Sequence, residues 1–331
     1  MQKVNLTSLF QKFNELNVLI IGDVMVDAYY WGKVERISPE APVPIVAVDY
    51  SDKRLGGAAN VALNIQALGA NAIMCAPIGN DTSGVDFIEL LNTHQLSSEG
   101  ILTIENRVTT EKTRIIGNNY QMLRVDRETT DPIPKADEDA FFQVIHQIIN
   151  DSKIDVIIFE DYDKGAISER LIKKVVDLAI EKNIPTTVDP KKRNFKFYKN
   201  VTLFKPNLKE LKEGLKIDFD KKNKAELEVA IDKLEKVLNN KQTLITLSEL
   251  GVFIKNNSEK HHIPAHHRSI ADVSGAGDTV ISVASLCLAL NMPSKVIAEL
   301  SNLAGGLVCE KVGVVSIVKE QLLKEAIEIY S

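Results

Sequence analysis

The chain has no long hydrophobic run. Its longest mainly apolar stretch, Val280 to Leu290, is too short to span a bilayer. The opening "MQKVNLTSLFQKFNELNVLIIGD" carries no apolar signal core followed by a small-residue cleavage site. These absences predict a cytoplasmic protein with no membrane partner. Cysteine is scarce. Cys75, Cys287 and Cys309 are odd in number, far apart and set in apolar sequence, which predicts buried free thiols rather than a disulfide framework. Positive charge is not in excess. The net charge of -5 offers nothing global to nucleic acid or to anionic membrane. An anionic substrate must therefore be held by local charge or by backbone N–H groups. Several nucleotide and metal signatures are missing. The one Gly-Lys pair, in "WGKV", lacks the rest of a phosphate-binding P-loop, and "GAGDTV" ends in valine where a dinucleotide fingerprint needs glycine. No zinc-protease signature occurs. The histidines of "HHIPAHH" (261–267) are interrupted by Pro264 and have no cysteine nearby, so they read as loop or strand residues.

What is present is alternation. "NVLIIGD" (17–23), "AIMCAPIG" (72–79), "DVIIFED" (155–161), "PTTVDP" (185–190), "TLFKPN" (202–207) and "TLITLS" (243–248) are short apolar runs ending in polar residues, as buried parallel strands are. Helical patterns lie between them at 57–70, 135–150 and 167–183. The charge-rich segment 218–240 keeps Leu227, Ala230, Ile231, Leu234 and Leu238 at helical spacing, which predicts a solvated amphipathic helix. The pattern predicts an α/β fold, a single domain over 1–331, with helices on both faces of a parallel sheet. Ligands of such folds sit outside the C-terminal strand ends, so Asp23, Asp161, Asp189, Asn207 and Ser248 are placed near the site. Two segments break the alternation. Residues 29–57 and 100–128 are β-patterned without helices, and "GNNY" between "TRII" and "QMLRVD" reads as a hairpin turn. They predict a small β-sheet lid, at about 29–50 and 100–126, that covers the site.

The sharpest chemical feature is "DVSGAGDTV" (272–280). A glycine-rich turn that opens a helix presents free N–H groups and the positive end of the helix dipole, a place for a phosphate. Asp278 then sits where an acceptor hydroxyl would meet that phosphate, and a carboxylate there can take the hydroxyl proton. Taken alone, Asp278 reads equally well as a helix cap, since aspartate favours that place.

"DVSGAGDTV" resembles the C-terminal signature of the PfkB, or ribokinase-like, sugar kinases, usually D-T-x-G-A-G-D, with Val273 in place of threonine. "GGAANVALNIQALGA" resembles the second signature of that family, and "KPNLKE" (205–210) contains its N-x-x-E motif. The resemblance implies a three-layer ribokinase-like sandwich with a small β-sheet lid and an ATP- and magnesium-dependent kinase. Asp278 is then the base, and the amides of Gly275, Ala276 and Gly277 hold the transferring phosphoryl group. Asn207, Leu208, Lys209 and Glu210 fall on the nucleotide side, with Asn207 and Glu210 organising magnesium. Thr246, Ser248 and Gly251 of "TLSELG" fall at a phosphate-contacting strand end, Asn302 on the adenine side, and a monovalent cation such as potassium near Asp272. Asp27, Gly56, Gly57 and Asn60 fall on the sugar, although they also read as a turn residue and a plain helix start.

"GDVMVDAYYWGKVERISPEAPVPIV", "EKTRIIGNNYQMLRVDRE" and "DYDKGAIS" are similar to the D-glycero-D-manno-heptose 7-phosphate kinases, which make heptose 1,7-bisphosphate for lipopolysaccharide core or surface-polymer precursors. Many of those are fused to a nucleotidyltransferase with an H-x-G-H motif, which this sequence does not contain. Related kinases often carry arginine where this chain has Leu247. A sugar phosphate needs charge-assisted donors, for which Lys112, Arg114, Lys191 and Arg124 are candidates, with Asp161 and Lys164 in the same crevice. Rival readings are a kinase of another sugar or a nucleoside, and a catalytically silent sugar-binding regulator on the same fold. Exposed lid strands predict a homodimer, because strand edges take partners.

Overall fold

The computed structural model describes residues 5–221 and 223–330. In chain order the strands are β1 (Asn17–Gly22), β2 (Val24–Ile37), β3 (Pro44–Gly57), β4 (Asn71–Gly79), β5 (Gly100–Ile104), β6 (Thr110–Gly117), β7 (Tyr120–Arg127), β8 (Val156–Glu160), β9 (Thr186–Asp189), β10 (Leu203–Phe204), β11 (Gln242–Thr246), β12 (Val252–Asn256) and β13 (Lys260–Ile263). The helices are α1 (Leu6–Lys12), α2 (Ala58–Ala67), α3 (Thr82–Thr93), α4 (Lys135–Asp151), α5 (Glu169–Glu181), α6 (Leu208–Leu215), α7 (Lys224–Leu238), α8 (Ala276–Ala289), α9 (Ser294–Val308) and α10 (Lys319–Tyr330).

A nine-stranded sheet runs β13-β12-β11-β10-β9-β8-β1-β4-β5. Every pairing from β11 to β5 is parallel, and β12 and β13 close the other edge as antiparallel strands. Successive strand side chains point to opposite faces, and the core divides accordingly. Val18 and Ile20 pack among residues of α2, α3, α8, α9 and α10, while Leu19 and Ile21 pack among those of α4, α5, α6 and α7. The three-layer α/β sandwich expected from the alternation is the observed fold. The predicted strand at 202–207 is reduced to Leu203–Phe204, because Pro206 cannot donate to a ladder and Asn207 already caps α6.

A second sheet runs β3-β2-β6-β7. Its β6–β7 hairpin turns on Asn118 and Asn119, both at positive φ (52° and 67°), as a two-residue turn of the primed type requires. Gly100–Ile104 does not join this lid. It pairs with β4 from Cys75↔Gly100 to Gly79↔Ile104, so the second lid segment begins at Thr110 rather than at 100. The lid is tied to the body by Lys53 to Asp86 (2.5 Å), by Ser83 Oγ donating to Glu111 (2.7 Å), and by Lys164 to Glu128 (2.8 Å).

Candidate active site

Parallel register assembles the centre. Glu160 pairs with Asp189 across β8 and β9, and Phe204 pairs with Val188, which sets Lys205 beside Asp189. All three side chains are buried, and Lys205 Nζ meets Asp189 Oδ2 at 2.7 Å. Helix α8 closes over these strand ends. Gly275 is its N-cap at φ 78°, a left-handed conformation that glycine adopts without a Cβ penalty. Asp278 therefore lies within the first turn, and the capping role is not its own. Its carboxylate turns inward instead. Asn60 Nδ2 donates to Oδ2 at 2.6 Å, and the Tyr162 hydroxyl donates to Oδ1 at 2.9 Å. Burial raises its pKa and the nearby Asp189 carboxylate adds to the rise, while the Asn60 and Tyr162 hydrogen bonds oppose it, leaving the group at about 6. A carboxylate so placed takes up protons in the physiological range, as a base for a hydroxyl must. Of the three turn amides, that of Ala276 is engaged by Val273 O at 3.3 Å. Those of Gly275 and Gly277 have no backbone partner among the described residues.

Glu160, Asp189 and Asp278 bring one carboxylate oxygen each within 4.8 Å of one another, the one such grouping among the described residues. Burial, then the neighbouring Asp189 and Asp278 carboxylates, push the Glu160 pKa well up. Lys191 enters from the next loop. It meets Glu210 at 2.7 Å and lies over the Tyr162 ring at 5.2 Å. Burial pulls its pKa down, but Asp189 and Glu210 more than offset this and leave it raised. Lys191 thus stands with Glu210 and the carboxylate cluster rather than with Lys112 and Arg114, against the expectation that placed it on a sugar phosphate.

The N-x-x-E motif is a capping box. Asn207 Oδ1 accepts from Glu210 N at 2.9 Å, and Glu210 Oε2 accepts from Asn207 N at 2.8 Å. With Oε1 on Lys191, both Glu210 oxygens are occupied. Asn207 and Glu210, the expected metal pair, thus also hold the start of α6. Of the residues between them, Leu208 packs on the core, and Lys209 points to solvent and reaches only Glu213 at 3.9 Å.

The lid supplies the wall above α2. Asp27 on β2 meets Arg114 on β6 at 2.5 Å, and Arg114 lies over the Tyr29 ring. A Cβ on Gly56 would come within 2.4 Å of Asp27 Oδ2, so glycine is required for β3 to pass. Gly57 is the N-cap of α2, and Asn60 stands in its first turn facing Asp278. Asp27, Gly56, Gly57 and Asn60 thus form a continuous strip leading to Asp278. The basic residues have partners within the chain. Lys112 meets Asp126 (3.1 Å) and Glu128 (3.2 Å), Lys164 meets Glu128, and Arg124 meets Asp126 (2.8 Å) on the open surface.

Other expected positions have structural duties. Asp161 accepts from Asp163 N, Asn194 and Tyr198 and faces away from the cluster. Asp23 accepts from the amides of Tyr162, Lys164 and Ala166 and so shapes the loop that carries Tyr162. Thr246 bridges to Asn207, Ser248 opens a short 3-10 turn at φ 53°, and Gly251 closes it. Leu247 is buried in the core, so no phosphate contact comes from that position. Asn302 Nδ2 donates to Pro264 O at 2.9 Å. Asp272 accepts from the amides of Ser274 and Gly313, both at 3.0 Å. The histidines follow the strand-and-loop reading: His261 and His262 lie on β13, and His266 meets the Tyr330 hydroxyl.

A profile of the family described as pfkB family carbohydrate kinase matches residues 15–321. The chain belongs to that family. Among curated pfkB-related proteins, Bifunctional protein HldE of Syntrophotalea carbinolica is 36% identical over 325 residues, covering 97% of this chain and 65% of that protein. Bifunctional protein HldE of Helicobacter pylori strain HPAG1 is 38% identical over 300 residues, 89% of this chain and 63% of that protein. The chain thus spans less than two thirds of the length of these relatives. Among solved structures, phosphofructokinase-2 from Escherichia coli in complex with potassium superposes with a TM-score of 0.76 at 17% identity, over 93% of this chain and 97% of that one. Arabidopsis thaliana ribokinase complexed with ribose and ATP gives 0.71 at 14% identity, over 93% and 99%. These structures establish the ribokinase-like fold.

Within this pfkB-family site, sequence reasoning passed over Glu160, Tyr162 and Lys205. Glu160 and Tyr162 flank Asp161, and Lys205 lies two residues before Asn207. Glu160 was legible as an acid closing the otherwise apolar "VIIFE", one residue before Asp161 and so on the opposite face of the strand. No local signal marks Tyr162, whose role depends on a contact 116 residues away.

Proposed function

We propose that this chain is an ATP- and magnesium-dependent kinase of a heptose 7-phosphate, acting at the anomeric hydroxyl. The observation that carries the reading is the buried Asp278 carboxylate, held between Asn60 and Tyr162 beside the glycine turn of α8. The sugar hydroxyl lies against Asp278 and its oxygen attacks the γ-phosphorus. The proton passes to the Asp278 carboxylate, the bond to the β-phosphate oxygen breaks, and ADP leaves with the electron pair. The Gly275 and Gly277 amides and the α8 dipole stabilise charge on the phosphoryl oxygens. Lys205 and Lys191 add positive charge below them. Magnesium, when bound, offsets charge on the triphosphate, and the all-oxygen donor set of the carboxylate cluster suits it. A monovalent cation near Asp272 belongs to the proposal, supported by the phosphofructokinase-2 solved with potassium. The heptose assignment is supported by the motifs shared with heptose 7-phosphate kinases and by the HldE relatives at 36% and 38% identity.

A second reading, a kinase of an unphosphorylated sugar, is favoured by the ion pairs of the lid. Lys112, Arg114 and Lys164 each have a carboxylate partner already, so none of these three waits unpaired for a sugar phosphate. The deciding experiment is phosphoryl transfer from ATP to a panel of heptose 7-phosphate, fructose 6-phosphate, fructose and ribose, with products identified by phosphorus NMR. Preference for heptose 7-phosphate, with a new anomeric phosphate signal, supports the first reading. Preference for a neutral sugar supports the second, and transfer to none would leave only a binding role.

A further inference from the structure

Between the lid and the body stands a carboxylate that no regular element fixes. Glu128 lies in the segment joining β7 to α4, outside both. Its Oε1 meets Lys164 Nζ at 2.8 Å, and its Oε2 meets Lys112 Nζ at 3.2 Å. Its side chain has no other partner among the described residues. The two lysines are better fixed. Lys112 stands on β6, beside Asp27 in the register. Lys164 is pinned through its backbone: its amide donates to Asp23 Oδ2 at 3.1 Å, and its carbonyl accepts from Arg107 at 2.7 Å. Their side chains are only 16% and 14% exposed, so their charges act more strongly than those of open-surface lysines. Glu128 is thus the movable member of the three.

Charge shows what could replace it. Burial acts to raise the Glu128 pKa, but Lys164 and Lys112 outweigh it and hold the group below the usual carboxylate range. Burial acts on Asp126 in the same way and is outweighed by Lys112 and Arg124. Both acids are therefore ionised at neutral pH. With Glu128 in place, Lys112, Lys164 and Arg124 carry three positive charges against two negative ones. With Glu128 withdrawn, the positive surplus is two. A phosphate monoester carries a charge of about −1.5 to −2 and three acceptor oxygens, so it matches that surplus where a neutral sugar does not. The place also suits the acceptor. Tyr162, two residues before Lys164, donates to Asp278, and Asp27 flanks Lys112.

We propose that Glu128 is the displaceable occupant of an anion seat made by Lys112 and Lys164, and that the phosphate of a sugar-phosphate acceptor takes its place. This rests on the reading of the chain as a sugar-phosphate kinase. The incoming phosphate then ties Lys112 of the lid to Lys164 of the body, as Glu128 did. A neutral sugar leaves Glu128 where it is. The test is calorimetric titration of the full chain without ATP, using inorganic phosphate, heptose 7-phosphate, fructose and ADP as probes. Glu128→Gln removes the competing charge, so it should bind inorganic phosphate and heptose 7-phosphate about three- to tenfold more tightly than wild type. Lys164→Gln should bind them about tenfold more weakly. The gain should vanish when Glu128→Gln is combined with Lys164→Gln, since the two act at one place. Fructose and ADP affinities should stay the same in all variants. Melting curves confirm folding, and Glu128→Ser serves if Glu128→Gln does not fold. An unchanged or weaker phosphate affinity in Glu128→Gln would show Glu128 to be a fixed strut and overturn the proposal. An equal gain for ADP would move the seat to the nucleotide and overturn it too. The sugar panel stands apart: phosphoryl transfer by wild type with no gain in Glu128→Gln would sink the seat and spare the kinase reading.

Discussion

The residue on which the proposed chemistry turns is Asp278, and its surroundings are not those of a helix cap. A capping aspartate would spend its oxygens on backbone amides; this one spends them on Asn60 and Tyr162, groups from two other elements. Asp278→Asn should retain nucleotide binding and lose ~10²–10⁴ in turnover, as removal of a general base does. Turnover above half the wild-type value would show that another group takes the proton. The raised pKa fixes the direction of two pH effects. Turnover should fall by roughly tenfold per unit as pH drops below about 6, because the protonated acid cannot accept. Stability should move the other way. The folded pKa of about 6 lies above the ordinary 3.8, so the proton binds the folded state more tightly. That contribution is full below the ordinary value and is lost as pH rises through about 6. Asp161, also pushed up to about 6, first by burial and then by Asp23, adds in the same sense. Wild type should therefore melt at a higher temperature at pH 5 than at pH 7, and Asp278→Asn should show a smaller difference. Lys191 gives a further residue-scale prediction. Its pairing with Glu210 puts it on the side proposed for the nucleotide, so Lys191→Ala should raise KM for ATP more than KM for the sugar, by the ~1.5–3 kcal/mol of a charge-assisted contact. A larger effect on the sugar would return Lys191 to the acceptor side.

At the scale of elements, much of the fold was legible. Apolar runs with polar ends located β1, β4, β8, β9 and β11, and the 3.6-residue period located α2, α4, α5 and α7. These signals are strong because a parallel strand is buried on both faces and a covering helix on one. Three features were read less well, each for a physical reason. The segment "GILTI" was assigned to the lid, because an edge strand of the main sheet and a strand of a small sheet carry the same β pattern. The N-x-x-E motif was read as a metal motif alone, because the same spacing also makes a capping box and the two uses look identical in sequence. Asp161 was named and Glu160 passed over because the last polar residue of the run was taken as the strand end, and a slip of one residue exchanges the faces. The lid makes its own prediction. Sheet β3-β2-β6-β7 is joined to the body by few ion pairs, and all of β7 is exposed. Hydrogen exchange at residues 24–57 and 110–127 should slow when the sugar phosphate binds, and ATP alone should protect these residues less. Unchanged exchange at saturating sugar phosphate would show that the lid does not close on the acceptor.

For the molecule as a whole, two hydrophobic cores lie on either face of the main sheet, and Asp278 takes its hydrogen bonds from Asn60 and Tyr162. The lid is different. Strand β7 is the outer strand of its sheet, so one side of its backbone lies unpaired, and it carries Tyr120, Leu123 and Val125 at 75%, 54% and 49% exposure. The register sets Leu123 and Val125 opposite Ile115 and Thr113, on the face away from Arg114 and its partner Asp27, where the sugar is proposed to bind. An apolar strand with an open edge invites a second strand, and a face turned from the sugar can be covered without blocking the site. No helix among the described residues is long and apolar enough to cross a membrane, so the patch is no part of a helical span. We therefore expect a second copy of the chain to cover it. Light scattering on wild type at micromolar concentration should give twice the chain mass. Leu123→Lys combined with Val125→Lys should give the single-chain mass, since two charges cannot be desolvated at that contact without partners. The base and its hydrogen bonds would survive in such a monomer, while lid exchange would quicken. A wild-type mass equal to one chain would refute the dimer and leave the exposed β7 residues without a partner of this kind.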